Sequence, residues 1–492
     1  MMLQARIRIS GASSGNSDYV TVLFIIALRD FIIGTKMQTK RFILSLIGIV
    51  LSLNAFAWDI RIGNTYYDIL SETDQTVALT YGEMPYSGDF TVPETINYGK
   101  TYKVVEISGT AFYKSPNLRS LVIGNSITSM PMRLSDRCPQ LKKVTLNCNE
   151  YLKNANSPSK SLNLVFGDQV EEYVFGNNVE QIGNFLFFKC SKVKKVTLGN
   201  SIKSIGEEAF SECSNLATIS IPSSVQSIST IAFEYCTSLK SVSIDSQTFL
   251  NQKFNAQFSC KDYFGTQVEK YTIGKNVTSI GNYAFAGCNN ITAYILNCPS
   301  TCSFGSNALS GKSNYKIIVP ALTTHSWTDN PMWDTYGSHF TEPAFTLHAN
   351  EDPSYPSAGY YTTFYNSHYA YILPNNVKAY TAKYDDEVVM LTAIEGNILP
   401  KGVAVLLYSK TISNMLLTPT DEEGNAPEQN LFRGVDVDTE QYDTIYMLSY
   451  GQNGLGFYKM NPDMMLSAHK AFLPVIEPLM MNASGLRMEF AK

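Results

Sequence analysis

The sequence predicts a mainly β chain, in which a repeat solenoid of about nine short strands is followed by a β-sandwich domain. Three observations support this prediction. Apolar motifs recur with a 23-residue period through the middle of the chain, and short strand-like segments fill the C-terminal third. In addition, 30 Tyr and 26 Phe accompany a charged fraction of only 16%. Few charges and many aromatic side chains suit β-rich surfaces.

The length of 492 residues allows two or three domains. We place the boundaries from the repeats and from the changes in pattern on either side of them. The predicted divisions are a leader at 1–57, an N-terminal β cap at 58–84, the repeat solenoid at 85–342 and the β-sandwich at 343–492.

The N-terminus has the three regions of a secretory signal peptide. Lys40 and Arg41 precede the apolar run 42–53, and Ala55-Phe56-Ala57 then supplies a small-x-small cleavage pattern. The apolar run is too short for a comfortable transmembrane helix. We therefore predict export, cleavage after Ala57, and a protein that is secreted or held at the outer cell surface.

The residues before this leader have two interpretations. The usual layout of a signal peptide would start translation at Met37, so that 1–36 is an over-extended gene start. The alternative is a membrane anchor over 20–53, but Arg29 and Asp30 interrupt that apolar stretch. We favour the first interpretation, in which the processed chain is not an integral membrane protein.

The strongest signal is the internal repeat. Segment 205–222 reads I-G-E-E-A-F-S-E-C-S-N-L-A-T-I-S-I-P, and its cysteine recurs at 138, 190, 213, 236 and 288. The two 52-residue intervals each contain one further short copy, at 166–175 and at 264–273. A fixed period of this kind is typical of a solenoid. It predicts strands that begin near residues 118, 141, 170, 193, 216, 239, 268, 291 and 315.

Each repeat is too small to bury its own apolar residues, so neighbouring repeats must stack and join them into ladders. The alternation in each strand predicts that Val242 and Ile244 point inward and Ser243 outward. The Ala-Phe pair of each copy should place its ring in the core. The recurring cysteine occupies an apolar position, which favours buried free thiols over disulfides. Cys298 and Cys302 lie together in a loop and are the more plausible disulfide.

The pattern I-x-x-I-G-x-x-A-F-x-x-C-x-x-L-x-x-V-x-I-P resembles the BspA-like leucine-rich repeats of bacterial surface proteins, especially those of Bacteroidetes. The resemblance covers roughly 85–342. It implies an extracellular role in adhesion to host matrix proteins or to other cells. The irregular stretches 147–164 and 245–262 depart from the pattern, either as binding loops or as tolerated insertions. We favour insertions, because solenoid loops vary freely.

The flanks of the repeats also have β patterns. Segment 60–81 alternates apolar and polar residues around Gly63-Asn64, which predicts a hairpin that caps the solenoid. The C-terminal part resembles a β domain that often follows such repeats in secreted Bacteroidetes proteins. It predicts eight strands, at 360–365, 370–373, 377–382, 388–394, 403–408, 444–450, 456–459 and 470–475.

Catalytic and cofactor signals are weak, and we predict that the chain is not an enzyme and binds no cofactor. It has only five His and no metalloprotease or serine-hydrolase motif. His325 and His339 flank Trp327 in the closing segment, where a capping role is favoured over a metal role. Acidic groups could bind calcium at 436–440 and at 385–387, although solvated turns explain them more simply.

The charge distribution argues against nucleic acid as a partner. The chain has 38 Lys and Arg against 43 Asp and Glu, and 344–492 is the most acidic part. Binding of phosphates needs a basic stripe, which the sequence lacks.

The predicted partner-binding face is the outward side of the repeat strands. Small polar side chains occupy it, and lysines flank it, which would suit a host matrix protein or a microbial surface protein. The candidate residues are Thr145, Thr197, Ser220, Ser243, Thr272, Lys142, Lys194 and Lys240. Ordinary sheet-surface residues are an equally good interpretation of any single position.

The alternative hypothesis is a glycan-binding accessory protein, or a hydrolase, with its site in the C-terminal β domain. Such a site would need an aromatic platform beside paired carboxylates. The rings for such a platform would come from Tyr360, Tyr361, Tyr365, Tyr369 and Tyr371.

Overall fold

The computed structural model describes residues 58–153, 157–310, 314–328, 336, 338–351, 358–385, 388–441, 443–451, 454–460, 464–475 and 485–490. The predicted leader lies outside the described residues, as do Asp386 and Glu387 of one candidate calcium site. Within the described part, no helix is both long enough and apolar enough to cross a membrane.

The N-terminal cap is a five-stranded sheet. Ile60–Ile62 and Thr65–Ser71 form the predicted antiparallel hairpin, with Gly63 at a φ of +58° in its turn. This backbone conformation costs a glycine little. The sheet extends past residue 84, because its other strands reach Ile107. In spatial order the strands are Ile60–Ile62, Thr65–Ser71, Thr76–Thr80, Lys100–Ile107 and Thr95–Tyr98.

Parallel strands, one from each repeat, form one long side of the solenoid, and they confirm all nine of the predicted strands. The first sheet contains Gly88–Thr91, Leu118–Ile123, Lys143–Leu146, Glu172–Phe175 and Lys195–Thr197. The second sheet contains Thr218–Ile221, Ser241–Ile244, Lys270–Ile273, Ala293–Leu296, Lys316–Ile318 and Phe340–Thr341. The sequence did not predict that two sheets would share this side.

The opposite side of the solenoid carries two-residue strands that begin each repeat. They pair in parallel and keep the coils stacked. Their bounds are Gln181–Ile182, Ser204–Ile205 and Ser227–Ile228 in one sheet, and Ser279–Ile280 and Ser303–Phe304 in another.

One continuous core runs through the coils, as the repeat predicts. Val242 and Ile244 are fully buried while Ser243 between them is half-buried. The ring of Phe210 is sandwiched between those of Phe187 and Phe233, with centroids 4.8 Å apart on each side. The phenylalanine that recurs in each motif therefore forms a column of stacked rings.

The irregular stretches in the repeats contain short helices that contribute to the core. Phe166 and Phe264 end two of these helices, and both side chains are fully buried. The insertions thus complete extra coils of the solenoid. The helices are Asn149–Lys153, Leu162–Phe166, Gln247–Leu250 and Cys260–Phe264, with a 3-10 turn at Pro158–Lys160.

The C-terminal end of the solenoid is closed by aromatic side chains. Trp327 of the helix Thr324–Thr328 is 2% exposed. The imidazole of His339 stacks on the ring of Tyr315 at a centroid distance of 4.2 Å, and its Nδ1 lies 2.9 Å from the Tyr315 carbonyl oxygen. These contacts agree with a capping role for His339.

The C-terminal part confirms all eight predicted strands and adds others. A four-stranded sheet has the order Phe345–His348, Asn414–Thr420, Ala370–Ile372 and Ile398–Leu399. A ten-stranded sheet has the order Asn350–Glu351, Tyr360–Phe364, Val405–Ser409, Lys378–Asp385, Val388–Ala393, Gly485–Phe490, Gly454–Lys459, Ile445–Gly451, Lys470–Pro474 and Arg433–Val435. A separate pair joins Thr439–Gln441 to Met464–Leu466. The two-layer sandwich stays a prediction.

Candidate partner-binding surface

The outward strand positions form two straight rows, because the parallel strands are in register. Thr145 pairs with Val174, which pairs with Thr197, in the first row. Ser220, Ser243 and Thr272 are consecutive partners in the second row. Thr197 and Ser220 are exposed, and the other three candidates are half-buried. The structure therefore brings all five hydroxyl side chains onto one face.

The candidate lysines are exposed but paired with carboxylates. Lys142 Nζ lies 2.9 Å from one oxygen of Glu171, and Lys194 Nζ lies 2.6 Å from the other. Lys240 Nζ lies 2.8 Å from Glu269. Neither glutamate was predicted, although each stands one strand away from its lysine, at the 23-residue or the 29-residue spacing of neighbouring repeats.

The pairing of Glu171 with two lysines changes its acidity. Hydrogen bonds from Lys194 and Lys142 lower the pKa of the Glu171 carboxyl to about 2, so that it stays ionised at any physiological pH. In the next position along the strand, Lys143 and Lys195 both lie 3.2 Å from Glu172. Four lysines therefore share two carboxylates, and this end of the face keeps a small positive excess.

The two rows are separated by a break in the sheet. Every other neighbouring pair of strands from Leu118–Ile123 to Lys316–Ile318 is hydrogen-bonded along its length. Across the break, Lys195–Thr197 and Thr218–Ile221 belong to different sheets. A cavity of about 430 Å³ lies there, and Thr197, Ser220 and Ser243 contribute to its lining.

The tyrosines proposed for a glycan platform do not form an exposed surface. Tyr361 and Tyr371 are buried, and they belong to two different apolar clusters of the C-terminal part. Tyr365 packs against the first cluster, and Tyr360 and Tyr369 pack against the second. The rings are thus divided between two cores.

The acidic and thiol groups considered in the sequence have structural partners. The carboxylates of Asp436 and Asp438 accept hydrogen bonds from the backbone N–H groups of Ser367 and Ala468. Among the described residues, no three His, Cys, Asp or Glu side chains are grouped as metal ligands would be. Cys298 and Cys302, the pair that the sequence favours for a disulfide, are free thiols in this structure and interact with each other through a hydrogen bond.

Comparison with known proteins identifies the repeats. The family model described as BspA type leucine rich repeat region matches six copies within residues 93–329. The sequence matches none of the curated proteins with which it was compared.

Solved structures of bacterial repeat proteins are similar to this chain. A leucine rich cell surface protein from Faecalibacterium prausnitzii A2-165 is 22% identical with a TM-score of 0.27, and the match covers 53% of this chain and 75% of that one. The pneumococcal vaccine antigen PcpA is 17% identical with a TM-score of 0.28, over 57% and 96% of the two chains. A leucine-rich repeat protein from Bacteroides ovatus is 18% identical with a TM-score of 0.23, over 58% and 76%.

Proposed function

Since residues 93–329 are a leucine-rich repeat region of the BspA type, we propose that this chain is an exported binding protein that recognises a protein partner through the strand face of its solenoid. The partner is a host matrix protein or a microbial surface protein. The proposal also takes the leader read from the sequence to be a signal peptide, and places the mature chain outside the cell or on its outer surface.

The observation that carries the proposal is the registered strand face. Within each row the outward positions follow one another at the spacing of adjacent strands, about 4.8 Å, while the inward positions are packed into the core. A face built on paired strands presents a different side chain on each strand to a large partner, without the entropic cost of ordering loops. Such surfaces are the usual binding faces of solenoids.

The chemistry of the face favours a protein over nucleic acid. The lysines at 142, 143, 194, 195 and 240 are each paired with Glu171, Glu172 or Glu269, and the small positive excess that is left is not the basic stripe that a phosphate backbone requires. The hydroxyl groups between these pairs can donate and accept hydrogen bonds. Paired charges at the margin with small polar groups at the centre resemble the mixed polar composition of protein interfaces.

The test is binding of residues 58–492 to immobilised matrix proteins and to a glycan array. A double variant, Thr197→Arg with Ser243→Arg, places two bulky charges on the face. Its matched control is Gln226→Arg, because Gln226 is exposed next to the strand Ser227–Ile228 on the opposite side. We expect saturable binding to a protein, at least tenfold weaker in the double variant and unchanged in the control.

Two outcomes would contradict the proposal. Binding confined to glycans would move the site away from this face and support the carbohydrate-directed alternative. Protein binding that the double variant leaves intact would place the partner on another surface.

A further inference from the structure

The break between the two parallel sheets is a local opening of the solenoid rather than a change in its path. On the opposite side of the same coils, Gln181–Ile182, Ser204–Ile205 and Ser227–Ile228 pair without interruption. Backbone bonds between the turns also continue, from Phe187 N to the Ala209 oxygen and from Phe210 N to the Ala232 oxygen. The coils therefore stay stacked at the back and separate at the strand face, which defines a wedge between Lys195–Thr197 and Thr218–Ile221.

The wedge leaves backbone groups without their usual partners. In the next pair of strands, Ser241 N donates to the Ala217 oxygen and Asp245 N donates to the Ile221 oxygen. Thr218 and Pro222 are the residues that correspond to Ser241 and Asp245 one repeat earlier. Within the described segment 157–310, no backbone hydrogen bond joins Thr218 or Pro222 to Lys195–Thr197 or to the residues beside that strand. Pro222 has no N–H to donate. By register, the N–H groups of Thr218 and Ser220 face unpaired carbonyl groups across the opening.

The side chains around the wedge show the same opening. In continuous parts of the sheet, the inward residues Val144, Val242 and Ile244 are all 0% exposed. At the wedge, Val196 is 6% and Leu198 is 9% exposed. Val196 and Leu198 are thus slightly more exposed than these three residues, and the cavity already described lies beside them.

We propose that the wedge is the centre of the partner-binding face, and that it takes the amide groups of an extended segment of a partner polypeptide. This inference rests on the proposed function and gives it a location. An amide carries one donor side and one acceptor side on a small planar group, which matches the unpaired N–H and carbonyl groups of the two strands. The main-chain groups of an open sheet edge pair readily with an added extended segment, so that a ligand which supplies both partners gains from satisfying them.

The surroundings of the wedge favour this occupant over others. Lys195 is held by Glu172 at 3.2 Å, and Asp245 accepts hydrogen bonds from Asn276, so that neither charge is free to select an ion. The lining contains no aromatic ring on which a sugar could stack. The other polar groups of the lining are backbone and small uncharged side chains, among them Thr197, Thr218 and Ser220.

The first experiment needs no ligand. Hydrogen exchange of residues 58–492 should show the amides of Thr218 and Ser220 exchanging at least tenfold faster than those of Ser241 and Ser243, the equivalent positions one repeat later. Equal protection at the two pairs of positions would mean that the strands are bonded and would overturn the inference.

The second experiment supplies the ligand. Displayed twelve-residue peptides are selected on the whole mature chain, and the binders are synthesised with and without backbone N-methylation. Ser220→Trp fills the wedge, and Gln226→Trp makes the same change at an exposed position on the opposite side of the solenoid. We expect binding to fall at least tenfold for Ser220→Trp and for the N-methylated peptides, and less than twofold for Gln226→Trp.

A selection that yields no binder, or binders indifferent to Ser220→Trp and to N-methylation, would overturn the inference. In that case, saturable binding of an immobilised protein by the unmodified chain would still support the proposed function. The two ideas therefore fail separately.

Discussion

The imidazole Nε2 of His469 lies 2.7 Å from the carbonyl oxygen of Leu322, and this contact connects the C-terminal part to the end of the solenoid across 147 residues. The other ring nitrogen, Nδ1, lies 3.1 Å from the carbonyl oxygen of Tyr365. A carbonyl oxygen can only accept, so a protonated ring nitrogen donates in each hydrogen bond of this kind. The carboxylate oxygen Oδ1 of Asp436 lies 3.5 Å from the same Nδ1.

Replacement of the His469 ring should weaken the junction, the set of contacts between the C-terminal part and the end of the solenoid. His469 has a φ of +57°, which asparagine tolerates, so His469→Asn tests the hydrogen bonds with little backbone strain. We expect a loss of about 1–3 kcal/mol in the free energy of unfolding, because partly buried carbonyl groups lose a donor. Denaturant unfolding of residues 58–492, followed by tryptophan fluorescence, measures it. His348→Asn, at an exposed strand position, is the control, and an equal effect of the two variants would exclude a special role for His469.

A buried carboxylate strengthens the same junction. Glu342 is 5% exposed and accepts hydrogen bonds from the backbone N–H groups of Leu322 and Thr324 and from the hydroxyl of Tyr371. We expect Glu342→Ala to cost about 3 kcal/mol or more, because several buried donors lose their acceptor at once. Glu342→Gln keeps one acceptor oxygen and should lose less. Thermal unfolding of the two variants ranks them, and equal melting temperatures would contradict the assignment.

The repeat made the solenoid predictable, and its absence explains what was missed. A 23-residue period fixes where each strand begins and which side chains point inward, so the places of Val242 and Ser243 follow from the sequence. The sequence does not predict the wedge. Pro320 stands at the same repeat position as Pro222, yet the strand Lys316–Ile318 before Pro320 still pairs with the neighbouring strand. In the C-terminal part no period exists, and the strand Asn414–Thr420, which contains a proline, escaped detection.

The low pKa of Glu171 should depend on its two lysines. Because hydrogen bonds from Lys194 and Lys142 hold the pKa at about 2, Lys194→Gln should raise it toward the ordinary value of about 4.5. A carboxyl with a lowered pKa in the folded state contributes stability above its unfolded pKa and loses it as the pH falls toward 2. NMR titration of the Glu171 side chain measures the shift. Lys203→Gln, which affects only the pair with Glu180, is the control and should leave the titration of Glu171 unchanged.

The column of phenylalanine rings should dominate the stability of the central coils. The side chain of Phe210 is fully buried between two other rings. We expect Phe210→Ala to cost about 3–5 kcal/mol, as is usual when a buried aromatic ring leaves a cavity. The control is Tyr235→Gly, since Tyr235 is 65% exposed at a φ of +58° that glycine adopts freely. Denaturant midpoints compare the two variants. A similar decrease in the stability of both would contradict a dominant role for the column of rings.

Cys298 and Cys302 should be the first thiols to oxidise. Their thiols are in contact, and the pKa of Cys302 is lowered because Cys298 donates a hydrogen bond to it. Burial instead raises the pKa of Cys138 to about 11 and of Cys236 to about 12. The thiolate is the species that attacks a disulfide.

With oxidised glutathione as the oxidant, the two thiols give up two protons and two electrons and form one disulfide, while glutathione disulfide becomes two glutathione thiols. Thiol titration in denaturant without reductant should then find seven of the nine cysteines of the chain. Cys148→Ser, which removes the equivalent cysteine of the earlier repeat, should still lose two titratable thiols. Cys298→Ser should form no internal disulfide. Oxidation that begins among the ladder cysteines instead would show that contact between Cys298 and Cys302 does not control their reactivity.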